Sequence, residues 1–305
     1  MPVQACFNDR SARTLARDPS PSSLMDPSDP YAAWLGRTEE RRDTVTPTPI
    51  AALAATLDRD DPAPGAGTAL PPLWHWLYFL PLHKQSEIGP DGHPRRGGFL
   101  PPVQLPRRMW AGGRLSFLQP IRVGDAMTRT SRIASIASKQ ARSGPLVFVT
   151  VEHEIATAAG VVLREEHDIV YRDMPAPGAT AIPAAAPTDE AFARKIDADA
   201  VLLFRYSALT FNGHRIHYDR RYVTEVEGYP GLIVHGPLIA TLLVDLLRRE
   251  HPDAVLRRFE FKALSPLFDL HPFTVCGRPD GDKRFALWAR SAEGALAMQA
   301  TAEIA

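Results

Sequence analysis

Residues 235–250, HGPLIATLLVDLLRRE, are apolar on nearly every side of a helix until Arg248. A helix with so little polar face cannot rest on a surface and must be enclosed by protein. Directly after it, residues 257–264, 273–278, 284–291 and 296–304 read as strands, with Gly-containing turns at 279–281 (PDG) and 293–294 (EG). An enclosed helix followed by an antiparallel meander describes a sheet wrapped around a helix.

Working outward, the first half shows the same plan. Residues 113–117, 128–138, 146–157 and 161–172 read as successive strands. In the third, Val147, Val149, Val151 and Ile155 alternate with Thr150, Glu152 and Glu154, the pattern of a half-buried strand. Residues 158–160 (AAG) make a tight connection into the fourth. Upstream, 70–80 (LPPLWHWLYFL) is dense enough in large apolar groups to be a buried helix or strand, and 83–106 is a long loop. Within 31–57, two apolar-containing segments flank a spacer at 44–49 (TVTPTP). The Ala- and Pro-rich run 175–187 (PAPGATAIPAAAP) cannot be a helix interior or a strand, and divides the chain. The expected organisation is a poorly ordered extension over 1–27 with Met25 as a candidate start, a first unit over 28–174, a linker over 175–187 and a second unit over 188–305. Two such units pair into one continuous sheet, an α+β architecture.

The 305 residues are 45% apolar, ample for a large core. Thirty-five basic residues cancel 35 acidic ones, so no global field favours nucleic acid. Arg-Arg pairs at 41–42, 95–96, 107–108, 220–221, 248–249 and 257–258 are scattered, mostly as surface charge, with a few suited to a ligand's phosphates. Cys6 and Cys276 alone make no disulfide framework and suit a reducing compartment. No apolar run reaches the roughly 18 residues of a membrane span, so the expectation is a soluble cytoplasmic protein, monomer or homodimer.

The polar residues concentrate in 204–238, FRYSALTFNGHRIHYDRRYVTEVEGYPGLIVHGPL. Asn212, His214, His217 and Asp219 fall within eight positions, on a loop before the enclosed helix. Loops held on a rigid scaffold are where functional side chains gather. The run 212–219 (NGHRIHYD), followed by 229–236 (YPGLIVHG), resembles the hydratase motif of the MaoC-like hot-dog hydratases and dehydratases, Asp-x-Asn-Pro-x-His-x-Asp with a later His-Gly. The segments MWAGGRL (109–115), PIRVGD (120–125) and RSGPLVFVT (142–150) resemble the double hot-dog branch of that family. The resemblance covers nearly everything after residue 28.

The resemblance implies a double hot-dog and reversible addition of water across the 2,3 double bond of an acyl thioester. It makes His217 the motif histidine, puts Asn212 at the motif aspartate, and makes Gly236 the helix-start glycine whose N–H serves the oxyanion hole. Physically, a neutral histidine can take the water proton, and a helix N-terminus stabilises the enolate-like oxygen. Asn212 departs from the family aspartate, because an amide cannot exchange a proton as a carboxylic acid does. His217 is then the sole proton carrier and Asn212 positions the water. Tyr206, Ser207, Val234 and His235 are candidates for the acyl pocket. Arg220 and Arg221 are candidates for the coenzyme A phosphates, with Arg258 and Lys262 as rivals. The substrate implied is a short, possibly branched or dicarboxylic enoyl-CoA, with 3-methylfumaryl-CoA (mesaconyl-C4-CoA) or itaconyl-CoA foremost. No cofactor is implied, coenzyme A being part of the substrate.

Blander readings stand beside these. His214 and His217 with Asp219 could suggest a metal site, but no further Cys/His cluster supports one. His235 suits capping or packing; Trp74 to Trp76 suit the core better than the acyl end of the site, although the resemblance makes the first half the degenerate, acyl-pocket half; and Cys276 is a small buried apolar group. Alternatives for function are dehydration of 3-hydroxyacyl groups on acyl carrier protein, and a thioester-binding subunit that has lost catalysis. A hot-dog thioesterase would lack the Asn/His loop and the His-Gly junction.

Overall fold

The computed structural model describes residues 30–141, 144–173 and 183–305. The expected N-terminal extension, Cys6, Arg142 and most of the linker lie outside these residues. Ten strands form one antiparallel sheet. In chain order they are β1 (Thr38–Thr44), β2 (Arg107–Phe117), β3 (Ala126–Ala141), β4 (Gly144–Thr157), β5 (Gly160–Arg172), β6 (Phe192–Ile196), β7 (Leu256–Ala263), β8 (Phe273–Pro279), β9 (Arg284–Arg290) and β10 (Leu296–Ile304). The spatial order β1-β3-β4-β5-β2-β7-β10-β9-β8-β6 is the same five-strand pattern twice, the second copy reversed.

The two copies meet where β2 pairs with β7, Gly112 facing Lys262 and Ser116 facing Arg258. The glycine pair of the 109–115 segment has its reason here. A Cβ on Gly112 would lie 2.6 Å from the Phe261 carbonyl, and one on Gly113 would lie 2.9 Å from both the Glu166 carbonyl and the Phe261 ring. Only a residue without a side chain lets the halves close to pairing distance.

In the second half, α2 (Ala200–Leu209), α3 (Arg220–Glu225) and α4 (Gly236–Glu250) follow β6. Helix α4 is the enclosed helix expected from the sequence, every residue from Leu238 to Leu247 being buried. It lies against β6, β8, β9 and β10, and each large aliphatic it buries contributes about 1.5–3 kcal/mol. Its one buried acid, Asp245, accepts hydrogen bonds from Arg59, Arg194 and Arg249, which ties the helix to β6 and to the segment after α1 (Pro47–Thr56).

The first half departs from the expected repeat. The run 70–80 is neither an α-helix nor a strand, but a four-residue 3-10 turn, Trp74–Leu77. Prolines at 71, 72 and 81 leave no room for a longer element, and Leu73 and Phe79 beside the turn adopt positive φ (70° and 56°). Without a long helix, the inner face of β3–β5 is left partly uncovered. The spacer expected at 44–49 is also different: Pro47 starts α1, a position whose missing N–H costs the helix nothing. At the linker's described end, Ala185 bridges to Ala295, and Ala186 packs with Cys276 and Trp288. Cys276 is buried as expected. Among the described residues, no helix is long and apolar enough to cross a membrane.

Gly112→Ala is expected to destabilise the fold by about 1–3 kcal/mol, since the Phe261 backbone must move. Thermal unfolding checks this; an unchanged melting temperature contradicts the seam's tight approach.

Candidate active site

Helix α2 is capped by Asp199, whose side chain accepts from Leu202 N–H, and it ends at Leu209. The chain then turns through Asn212 and the 3-10 turn Arg215–His217 into α3. Asp219 caps α3 by accepting from Tyr222 N–H, and also holds Arg215 at 2.7 Å. Asp219 is thus a structural clamp on the loop that carries His217.

His217 is buried, and its Nδ1–H donates to the Ile233 carbonyl at 2.7 Å. That bond fixes the tautomer and leaves the Nε2 lone pair available. Nε2 has no hydrogen-bond partner among the described residues and keeps a little exposed surface. Burial pushes the imidazole down to about 4, against the opposing effect of the Ile233 carbonyl, so His217 is neutral at pH 7. His235 stacks on it with ring centroids 3.7 Å apart and planes at 19°. Ser207 Oγ meets His235 Nε2 at 2.8 Å, and Tyr206 lies edge-on to the same ring at 5.1 Å. His235 makes no side-chain cap on α4; it supports the His217 ring.

Gly236 is the first residue of α4 and Pro237 the second. The first turn's N–H groups have no intrahelical acceptor and carry the positive end of the helix dipole. Pro237 has no N–H, so the donor at the very start is Gly236. A Cβ built on Gly236 would meet nothing within 4 Å. No protein contact therefore requires glycine there, and the space is open to a ligand atom.

Tyr206, Ser207, Asn212 and Pro237 line a cavity of about 1120 Å³. His217 is recessed from this wall, beside the Ser207–His235 pair. Asn212 Oδ1 accepts from His214 N–H at 3.0 Å, which shapes the turn and leaves a second lone pair. Val234 is buried, and its N–H donates to Leu267. Arg220 is paired with Asp269, Arg221 with Glu225, and Arg258 faces Glu303 at 4.0 Å; Lys262 is exposed on β7. None of these four lines the cavity. The basic residues that do are Arg41, Arg95, Arg96, Arg108, Arg129 and Arg215.

The first half was expected to be the acyl-pocket half, but its loop residues and the group around Glu165 were not foreseen. Loop residues Asp91 and His93 reach the His loop: Arg215 N–H donates to the Asp91 carbonyl, and the His93 and His214 rings lie 3.9 Å apart. Asp91, His93 and His214 bring ligand atoms within 4.8 Å of one another, a spacing able to hold a cation, although Asp91 and His93 already bond each other. This trio differs from the His214, His217 and Asp219 set considered from sequence. Glu165, buried on β5, accepts from His75 Nε2 (2.9 Å), Trp76 Nε1 (2.8 Å) and His167. Burial would raise its carboxyl, but the charges and hydrogen bonds of His167 and His75 prevail and hold it well below the usual range. The Trp74 to Trp76 run is therefore divided: Trp74 is core, His75 holds Glu165, and Trp76 lines the cavity. The legible signal was polar residues in phase with the buried side of β4 and β5, namely His153 between Val151 and Ile155, and Glu165 after Leu163.

The chain matches the family described as hydroxyacyl-thioester dehydratase type 2 over residues 73–269. It is 49% identical to the mesaconyl-C(4)-CoA hydratase of Chloroflexus aurantiacus over 278 residues, covering 90% of this chain and 98% of that one. It is 27% identical to the mitochondrial hydroxyacyl-thioester dehydratase type 2 of Schizosaccharomyces pombe, covering 77% and 88%. Among solved structures, a MaoC-like dehydratase superposes with TM-score 0.66 at 14% identity, covering 89% of this chain and 98% of that one. HtdX of Mycobacterium tuberculosis superposes with TM-score 0.60 at 19% identity, covering 88% and 100%. A further mycobacterial neighbour, TM-score 0.54 at 13% identity and covering 89% and 96%, is described as a double hot-dog. The chain belongs to the hydroxyacyl-thioester dehydratase type 2 family and carries its MaoC-like double hot-dog fold.

Proposed function

We propose that the protein is a hydro-lyase that adds water reversibly to the 2,3 double bond of an enoyl-CoA, with mesaconyl-C4-CoA as substrate. The observation that carries the chemistry is His217: neutral, tautomer-locked on Ile233, stacked on His235, with Nε2 unclaimed. In the hydration direction, His217 Nε2 takes a proton from water, the second lone pair of Asn212 Oδ1 holding the other hydrogen. The water oxygen bonds to C3 as the C2–C3 double bond opens, and negative charge moves to the thioester oxygen. Gly236 N–H and the α4 dipole stabilise that oxygen. His217, now an imidazolium, returns its proton to C2, so one water is consumed and the enzyme is restored. No step calls for a cofactor. Coenzyme A rather than acyl carrier protein is supported by 49% identity to an acyl-CoA hydratase. The cytoplasm is the compartment expected from the sequence.

His217→Ala is expected to lower kcat at least 1000-fold on the order of a lost general base with its supporting contacts, with circular dichroism unchanged. Loss of thioester-enone absorbance at near-normal rate in that variant would overturn the assignment. Asn212→Ala is expected to lower kcat about 10- to 100-fold with little change in KM, because the residue positions water and carries no proton; unchanged kcat contradicts that role.

The acid limb follows from the buried histidine. Its folded pKa, about 4, lies below the unfolded value of about 6.5, so the unfolded state binds the extra proton. Stability from burying neutral His217 is complete above about pH 6.5 and is lost as pH falls toward 4, by up to about 1.4 kcal/mol per pH unit. kcat/KM should stay flat from pH 8 to 6, and acid inactivation should coincide with unfolding. A reversible activity pKa near 6.5 in folded protein contradicts the burial.

A further inference from the structure

The inner face of β3 carries an arginine where its neighbours in phase are buried. Met127, Ser131 and Ile133 are enclosed, and Arg129 stands among them with its head group in the cavity wall. Its Nε is buried with no hydrogen-bond partner, and among the described residues no carboxylate lies within ion-pair distance of it. The guanidinium rests on the Phe79 ring, 5.0 Å from its centroid, and Phe79 is held at positive φ. The residue directly across from Arg129 on β1 is another arginine, Arg41. Like charges in that position repel unless something compensates them.

The other cavity arginines are committed or exposed. Arg41 is paired with Glu39 at 3.2 Å. Arg96 donates to the Val103 and Pro106 carbonyls, and Arg215 to Asp219. Arg108 bonds Tyr171, and Arg95 is on the surface, suited to phosphates at the mouth. Of the two acids whose charge acts on Arg129, Glu165 is saturated by His75, Trp76 and His167. Glu39, the cavity's one lining acid among the described residues, serves Arg41. A half-buried guanidinium on the wall of a ligand cavity, with no carboxylate among the described residues at ion-pair distance, costs desolvation that a ligand carboxylate would recover as a charge-assisted pair.

We infer that Arg129 is the subsite for a free carboxylate on the acyl group, which makes the enzyme selective for CoA esters of dicarboxylic acids over uncharged acyl-CoAs. This inference rests on the acyl-CoA reading above and adds the residue that would set its substrate class. The Phe79 ring backs the guanidinium, and Arg41 stands directly across on the neighbouring strand. His153, packed beside Arg129 on the same inner face, keeps the pocket polar without adding charge, since burial holds its imidazole neutral.

The test uses saturated esters, so that binding is read without turnover. Succinyl-CoA, glutaryl-CoA and butyryl-CoA are titrated calorimetrically into the full chain and into Arg129→Gln and Arg129→Lys, with circular dichroism confirming the fold. At least one dicarboxylic ester is expected to bind the wild type 10- to 100-fold tighter than butyryl-CoA. Arg129→Gln should bring that affinity down to the butyryl-CoA value, and Arg129→Lys should restore part of the preference. In turnover, the ratio of kcat/KM for mesaconyl-C4-CoA to that for crotonyl-CoA should fall by a similar factor in Arg129→Gln. No preference in the wild type, or a preference that survives Arg129→Gln, overturns the inference while leaving the hydratase reading intact. If no ester binds at all, the acyl-CoA reading fails and takes the inference with it.

Discussion

The enclosure of α4 by the second half's sheet is the constraint on which the remaining structure depends. Ten consecutive buried residues fix the helix along its length, and Asp245, held by three arginines, fixes its far end. A helix so confined presents its N-terminus at one place only. There Gly236 offers an unpaired N–H, and His235, the residue before it, carries His217 on its face. The helix end proposed to stabilise the oxyanion and the histidine proposed as base are thus positioned by the same packing. The first half, with the same strand order but only a 3-10 turn in place of such a helix, leaves space. One copy of the fold is filled by a helix, the other by the cavity.

Most of the sheet was legible in the sequence because its strands alternate and are closed by glycine turns. The two edge strands were not. β1 (TEERRDT) and β6 (FARKI) carry charge among few apolar groups, as suits strands exposed along one side, and no alternation marks them. Helix α1 was hidden by Pro47 and Pro49, which read as a spacer although proline is welcome in a first turn. The first half's turn at Trp74–Leu77 escaped because apolar density does not distinguish an α-helix from a short 3-10 element. Within the site, the 212–236 segment was legible because its residues are close in sequence. His93 and Arg129, which line the cavity, and Asp91 and Glu165, which stand behind it, were not, since only the fold brings them together. The neutral overall charge concealed the same thing: six arginines line a cavity whose one acidic lining residue among the described residues is Glu39.

Two kinds of cation-capable group divide the work by environment. The histidines 214, 217 and 235 are kept neutral by burial, which is the form a base and its supports need. The arginines cannot give up their charge at neutral pH, so they make the cavity wall positive. Asn212 fits this division. With an amide in place of a carboxylate, residue 212 adds no negative charge to the loop, and under the proposed mechanism proton transfer is left to His217 alone.

Addition of water to C3 of a dicarboxylic enoyl-CoA, the proposed reaction, can be read from the fate of the water itself. Purified protein is incubated with mesaconyl-C4-CoA in heavy-oxygen water, and the thioester products are analysed by mass spectrometry. The expected product is an intact thioester heavier by one labelled water, with the label in a C3 hydroxyl. Unchanged mesaconyl-C4-CoA, or free coenzyme A with the label in a released carboxylate, would contradict it.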